Sequence, residues 1–382
     1  MRILFANPGG DATGGAERSL CLLIRGLTDR GHTIGAVTLA AGTAAEAFAQ
    51  AGADILADGL GQRVRHVQRH GSSARLLYGI ATSAPSAATT ASRLRSHAAS
   101  FDAAILHTNG LQTHVLTPFL LGPHRAVVWS LRDLPPTTPA LMLLRSTARF
   151  AAAITAPSVW ASDLARRCRK PVYVIPNPVC AAEGVDPEQA RYALGLPSGR
   201  RVVTVLAHLH PTKGQHVAIE AWAALPAPRP LLVLAGGDLY GAASARYRQH
   251  LEAMVEQARL TADVMLVGLI RDPAQLYAAT DLVLHPALHP EGFGRSMAEA
   301  QLSAVPVIAT ALGAACELIE DGKSGILVPP NSPADIAAAV QRLLGSPSLY
   351  DRLREGGMAT RSRYLPERHA AAMESVYRAV EP

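Results

Sequence analysis

Short runs of apolar, often β-branched residues recur along the chain, separated by stretches whose apolar positions return every three to four residues. That alternation predicts parallel strands joined by helices. In the first half the predicted strands are Ile3–Ala6, Ala36–Leu39, Ala53–Leu56, Ala103–His107, Ala126–Leu131, Ala152–Ala156 and Val172–Ile175. In the second they are Val202–Ala207, Leu231–Ala235, Val264–Val267, Leu282–Leu284, Val305–Ala309 and Ile326–Val328. The first helix is well marked. Leu20, Leu23, Ile24 and Leu27 fall on one helical face, and Gly31 stands where a C-cap belongs. The proline- and glycine-containing stretch Pro176–Gly199 marks the break between halves. The fold class is α/β, with two Rossmann-like doubly wound domains, 1–178 and 179–362, followed by a helical tail, 363–382.

A length of 382 residues suits two domains of this kind. No apolar run approaches the ~18 residues of a membrane span, and the N-terminal apolar stretch is too short for a signal peptide. Cys21, Cys168, Cys180 and Cys316 are scattered without metal-ligand spacing, which predicts packing residues in a reducing cytoplasm. Charge is unevenly shared. Residues 1–180 carry 18 Lys+Arg against 9 Asp+Glu (+9), and residues 181–382 carry 18 against 21 (−3). A basic first half suits an anionic acceptor or membrane surface, although solvated arginine explains it equally. Within it, residues 59–79 set Leu60, Val64 and Val67 at helical spacing among Arg63, Arg65, Arg69 and Arg75. Such a segment would dock on an anionic bilayer, or be an ordinary exposed helix.

In doubly wound folds ligands bind at the carboxyl ends of the strands, and the polar motifs of this chain fall there. HPEGFGRSMAEAQ, residues 289–301, follows a predicted strand and runs into a helix beginning near Arg295. The amides of Phe293, Gly294 and Arg295 would open that helix, whose positive end stabilises an anion by ~0.3–2 kcal/mol. Arg295 would add a full charge. Glu299, one turn inside, suits a grip on a vicinal diol because both its oxygens accept hydrogen bonds; the bland alternative is a solvated helix residue. Eight helical residues span ~12 Å, beyond the ~5–9.5 Å of a glycosidase carboxylate pair, so Glu291 and Glu299 have different tasks.

Lys213 with Gly214, in HLHPTKG, stands at a second helix entrance and reads as a phosphate contact. A cation ~4 Å from a phosphate oxygen gains ~4 kcal/mol at an effective dielectric near 20, more than the helix dipole supplies. TGGAE, residues 13–17, is a third glycine loop without the G-x-G-x-x-G spacing of a dinucleotide fingerprint, which argues against a nicotinamide or flavin oxidoreductase. Two more strand ends carry polar groups, His107 with Asn109 and Arg132 with Asp133, each of which could equally be structural.

Together these stretches resemble the retaining GT-B glycosyltransferases of family 4. GGAE at 14–17, IPNPV at 175–179, HLHPTKG at 208–214, LAGGD at 234–238, E-x7-E at 291–299 and the closing helix fall in that family's order. The resemblance implies two domains facing each other across a cleft, with the closing helix crossing back to the first. It implies a nucleotide-sugar donor, most often a UDP-sugar, held by the second domain, and an acceptor hydroxyl bound by the first. The donor set it implies is Gly14, Gly15, His208, Lys213, Gly268, Phe293, Gly294, Arg295 and Glu299. The catalytic set is Glu291, Lys213, Arg132 and His107. Glu299 would hold the ribose, Lys213 and the Gly294 amides the diphosphate, and Glu291 the sugar hydroxyls. Arg132 stands where many members keep a histidine.

The chain departs from the family pattern at His208, where most members have arginine, at Ala304 for a usual glycine, and at Cys316 for a usual proline. The last two read as tolerated variation. No metal ligand set is evident, and Lys213, Arg295 and helix amides would serve in its place. The expected partners are the donor, an unidentified hydroxyl acceptor and an anionic membrane at the periphery, with no nucleic acid. A non-catalytic sugar-nucleotide binder on the same fold is the competing expectation.

Overall fold

A computed structural model describes residues 1–11, 14–61, 73–120, 125–132, 138–237 and 241–382, with 73–86, 138–140 and 164 given by their backbone alone. The basic segment 62–72, Thr13, Asp133 and Asp238 lie outside the described residues, and with them most of the amphipathic pattern of 59–79. The chain forms two compact units, Met1–Pro178 with Leu365–Pro382, and Val179–Tyr364.

The first unit is built on seven parallel strands: β1 (Arg2–Asn7), β2 (Thr33–Thr38), β3 (Asp54–Ala57), β4 (Ile105–Asn109), β5 (Ala126–Ser130), β6 (Ala153–Ala156) and β7 (Val172–Val174). Their order is β3-β2-β1-β4-β5-β6-β7. Such strands are covered on both faces, so they read as continuous apolar runs. The helix Gly15–Asp29 buries Leu20, Leu23, Ile24 and Leu27, and the chain turns out of it at Gly31, whose φ is +81°. The closing helix Pro366–Val380 packs against that first helix; a Cβ on Gly26 would stand 2.8 Å from Ala370 Cβ, so glycine permits the close approach. Ala370, Met373, Val376 and Tyr377 of the closing helix join the same apolar core as Leu20 and Ile24.

The second unit has six parallel strands: β8 (Val202–Leu206), β9 (Leu231–Ala235), β10 (Val264–Gly268), β11 (Leu282–His285), β12 (Val307–Thr310) and β13 (Ile326–Val328). Their order is β10-β9-β8-β11-β12-β13. In both sheets the winding direction reverses once, between β1 and β4 and between β8 and β11. Chains diverge from such a reversal to opposite faces of the sheet, and a crevice opens beyond the strand ends. The side chains beyond those two pairs of strands are therefore the ones to inspect.

Ala304 is more than a neutral variation. It joins the helix Arg295–Leu302 to β12 at φ +59°, in the left-handed region. A side chain there costs ~1–2 kcal/mol, and the greater freedom of glycine in the unfolded chain returns ~0.4–1 kcal/mol of that. Ala304→Gly is expected to raise the urea midpoint, by about 0.5–1 kcal/mol of stability; an unchanged or lower midpoint would show that the methyl group contributes compensating packing. Cys316, by contrast, is exposed in the short helix Ala315–Leu318.

Candidate functional site

In the second unit β8 leads through His208 into a 3₁₀ turn, Pro211–Lys213, and then into the helix Gln215–Ala224. Gly214, at φ +71°, links the two, and a Cβ there would lie 1.9 Å from the carbonyl oxygen of Pro286. Glycine thus lets the loop after β8 lie against the loop after β11, and Leu288 N–H donates to Thr212 O at 2.8 Å across the same seam. Gln215, fully buried, donates from Nε2 to the His208 carbonyl at 3.0 Å. The loop after β11 is pinned in turn by Ala314 N–H, which donates to Glu291 O at 3.1 Å.

This packing brings Lys213 Nζ onto Glu291 Oε1 as a hydrogen-bonded ion pair. His285, the last residue of β11, places Nε2 3.5 Å from the same oxygen. Burial alone would raise the Glu291 carboxyl; His285, Lys213 and His208 outweigh it and bring it down to about 2. Glu291 is therefore ionised at neutral pH. Burial, joined by the neighbouring Lys213, pushes the His285 imidazole below its ordinary value, with Glu291 opposing.

Gly294, at φ +84°, starts the helix Arg295–Leu302. Glu299 is buried rather than solvated: it is 8% exposed, and accepts from Arg295 Nη2 at 2.6 Å and from Tyr277 Oη–H at 3.0 Å. Phe293 is buried against Tyr364, ring centroids 5.7 Å apart, so its side chain anchors the turn. Gly268 ends β10 at φ +74°, with β9 between it and β8, about 10 Å across the sheet. The structure thus gathers Lys213, Glu291, His285 and His208 on one side, Arg295, Glu299 and Tyr277 on the other, around one helix N-terminus.

In the first unit Asn7 ends β1, Asn109 ends β4, and Arg132 follows β5. Arg132 is half-buried and donates from Nε to Asn109 Oδ1 at 2.5 Å and from Nη1 to Asn177 Oδ1 at 2.8 Å. Gly14 caps the helix that begins at Gly15. His107, expected in the catalytic set at a strand end, lies instead within β4. Its side chain is 0% exposed, lies against Phe5, and is joined through Nδ1 to Tyr377 Oη at 2.7 Å. β4 runs two residues further than the apolar pattern predicts, so His107 sits within the strand and Asn109 takes the strand end.

Sequence reading also passed over His285, Tyr277 and Asn7. The signal for His285 was present, a polar residue closing the apolar run LVL. Among the described residues no group of three or more His, Cys, Asp or Glu side chains is placed to hold a metal ion, and no helix is long and apolar enough to cross a membrane.

Two family models match the chain in succession, "Glycosyltransferase Family 4" over residues 13–183 and "Glycosyl transferases group 1" over 186–359. The chain belongs to glycosyltransferase family 4. Curated relatives include D-inositol 3-phosphate glycosyltransferases of Thermomonospora curvata, 32% identical over 45% of this chain and 41% of that protein, and of Corynebacterium urealyticum, 32% identical over 50% and 46%. The match thus spans less than half the length of these relatives. Among solved structures, HepE of Anabaena in complex with UDP-glucose superposes with a TM-score of 0.83 at 24% identity, covering 99% of this chain and 100% of that one. Sucrose-phosphate synthase of Thermosynechococcus elongatus gives 0.80 at 20% identity, over 99% and 98%. This member of family 4 therefore has the GT-B fold, with two Rossmann-like units on parallel sheets.

Proposed function

We propose that the protein transfers a sugar from a nucleoside-diphosphate sugar, a UDP-sugar in the first instance, to an acceptor hydroxyl with retention of anomeric configuration and without a metal ion. The observation that carries this reading is the pair of cation–carboxylate contacts, Lys213–Glu291 and Arg295–Glu299, flanking the N-terminus of the helix Arg295–Leu302. Breaking the glycosidic bond makes the anomeric carbon cation-like and leaves negative charge on the diphosphate. Donors fixed in advance on that charge are what lowers the barrier. Lys213, Arg295 and the amides at Gly294 supply them.

The carboxylates suit the uncharged parts of the donor. Each has about four acceptor sites, enough to hold its cation and take sugar hydroxyl protons as well. Glu299, steadied by Tyr277, takes the ribose diol; Glu291 takes hydroxyls of the transferred sugar. His208 contributes to the diphosphate as imidazolium, a form that the approaching anion itself favours. Arg132 serves the transferred sugar from the first unit.

The acceptor is a small-molecule natural product, an aglycone or aminocyclitol, or a lipid-linked or polysaccharide glycan, delivered with peripheral contact to an anionic membrane in the cytoplasm. Support for this last part is the basic composition of residues 1–180. Thermal-shift screening with UDP-, GDP- and ADP-sugars, followed by product NMR with an acceptor panel, tests the whole reading. Inverted product refutes retention, and a shift without product would favour the non-catalytic binder, to which His208 in place of arginine gives some support. With Lys213 and Arg295 carrying the leaving-group charge, activity is expected to survive EDTA. Strict dependence on added Mn²⁺ or Mg²⁺ would refute the metal-free mechanism.

A further inference from the structure

The switch point of the first sheet carries a continuous chain of side-chain hydrogen bonds. Arg132 Nε donates to Asn109 Oδ1 at 2.5 Å, Asn109 Nδ2 donates to Asn7 Oδ1 at 2.7 Å, and Asn7 Nδ2 donates to Glu17 Oε1 at 3.3 Å. Asparagine oxygen and nitrogen are hard to tell apart by shape, but here the ends decide. A guanidinium only donates and a carboxylate only accepts. With Arg132 at one end and Glu17 at the other, each amide must turn its oxygen towards Arg132 and its nitrogen towards Glu17. Both amides are buried, Asn7 at 0% and Asn109 at 2% exposed, so the aligned dipoles polarise one another with little screening by water.

The Glu17 end is seated between glycines. A Cβ on Gly9 would lie 2.6 Å from Glu17 Oε1, and one on Gly14 2.2 Å from Oε2. Gly14 has φ −72°, which any residue adopts, so its missing side chain matters here for the carboxylate rather than for backbone freedom. Asn177 Oδ1 fixes the guanidinium from a second direction. Asn109 and Asn177 are neutral amides, which orient the guanidinium without themselves adding a negative charge beside it.

We propose that Asn7, Asn109, Asn177 and Glu17 are positioning residues that hold Arg132 and the Gly14–Gly15 turn as one mechanical unit. For catalysis this rests on the reading that Arg132 serves the transferred sugar. A shift of the turn then moves the guanidinium, and a change at Glu17 is felt three hydrogen bonds away.

The coupling is read first without activity, by ¹⁵N NMR of arginine side chains, with the Arg132 Nε–H resonance assigned from its loss in Arg132→Lys. That signal is expected to exchange slowly and to shift in Glu17→Gln and in Gly14→Ala. A signal unmoved in both variants overturns the proposal, whether or not turnover has been found. In the kinetic arm, Asn109→Ala and Asn177→Ala each lower kcat about tenfold or more at similar donor KM, and lose that effect in an Arg132→Ala background. Asn177→Asp, which keeps the acceptor oxygen, is the second variant should an alanine variant fold poorly; it cancels part of the charge and lowers kcat with the melting temperature unchanged. Losses that persist in full without Arg132 would mean a general folding role and overturn the proposal. A wild-type protein that turns over no nucleotide sugar refutes the preceding functional reading and leaves the NMR arm to decide this one.

Discussion

Replacing Lys213 with alanine is expected to cut turnover by two or more decades, about 3 kcal/mol of transition-state stabilisation. The magnitude follows from comparing the groups proposed to face the leaving diphosphate. A cation in contact contributes ~4 kcal/mol at an effective dielectric near 20, whereas the helix N-terminus contributes ~0.3–2 kcal/mol. The variant also strips Glu291 of its hydrogen-bonded cation, leaving His285 at 3.5 Å as a partner within that shell. The carboxyl, held at about 2 in part by Lys213, then moves upward, and the acid side of the activity profile should move with it. Steady-state rates with the best donor, at several pH values, check both effects. Near-normal turnover in Lys213→Ala would remove this residue from the diphosphate site.

Glu299→Ala is expected to lose as much, two or more decades in turnover (~3 kcal/mol), for a different reason. Glu299 is buried between Arg295 and Tyr277 and orients both. Removing it takes away the proposed diol acceptor and leaves Arg295 partly buried without this counter-charge, which costs more than an exposed pair would. Glu299→Gln separates these contributions. It keeps the shape and one acceptor oxygen, so donor affinity should fall less than in Glu299→Ala, while the contact with Arg295 weakens in both. Equal, normal affinities for UDP-sugar in the two variants, by calorimetry, would sink the ribose assignment.

Much of this arrangement was legible in the residues themselves. All thirteen predicted strands are present, because strands buried on both faces must be apolar throughout and leave an unambiguous trace. The turn at Gly292–Gly294 and the helix start at Arg295 were equally plain, since glycine followed by a helix-forming run has few other readings. The errors lie at strand ends. Thr108 and Asn109 look like loop but still pair with Trp129 and Ser130 of β5, so the predicted end fell on His107, two residues short. His285 was missed in the same way, being polar yet paired with Ala309. A polar residue in the last rungs of a ladder is paid for by its ligand or its neighbours, neither of which apolar periodicity records. Partnerships such as Tyr277 with Glu299, 22 positions apart, need the third dimension.

The closing helix sets the order in which the chain can mature during synthesis. Val179–Tyr364 is contiguous and holds all of its own strands, so it can complete a core as soon as it has been translated. The first unit cannot. Leu20 and Ile24 share a core with Met373 and Tyr377, and the buried imidazole of His107 waits for the hydroxyl of Tyr377, 270 residues later. The part of the protein made first is therefore finished last, inverting the usual N-terminal-first sequence of domain folding. A chain stalled after Tyr364 but before the closing helix is complete would carry one mature unit and one with its apolar seam open. Quality-control chaperones would meet that seam on the older half of the nascent chain.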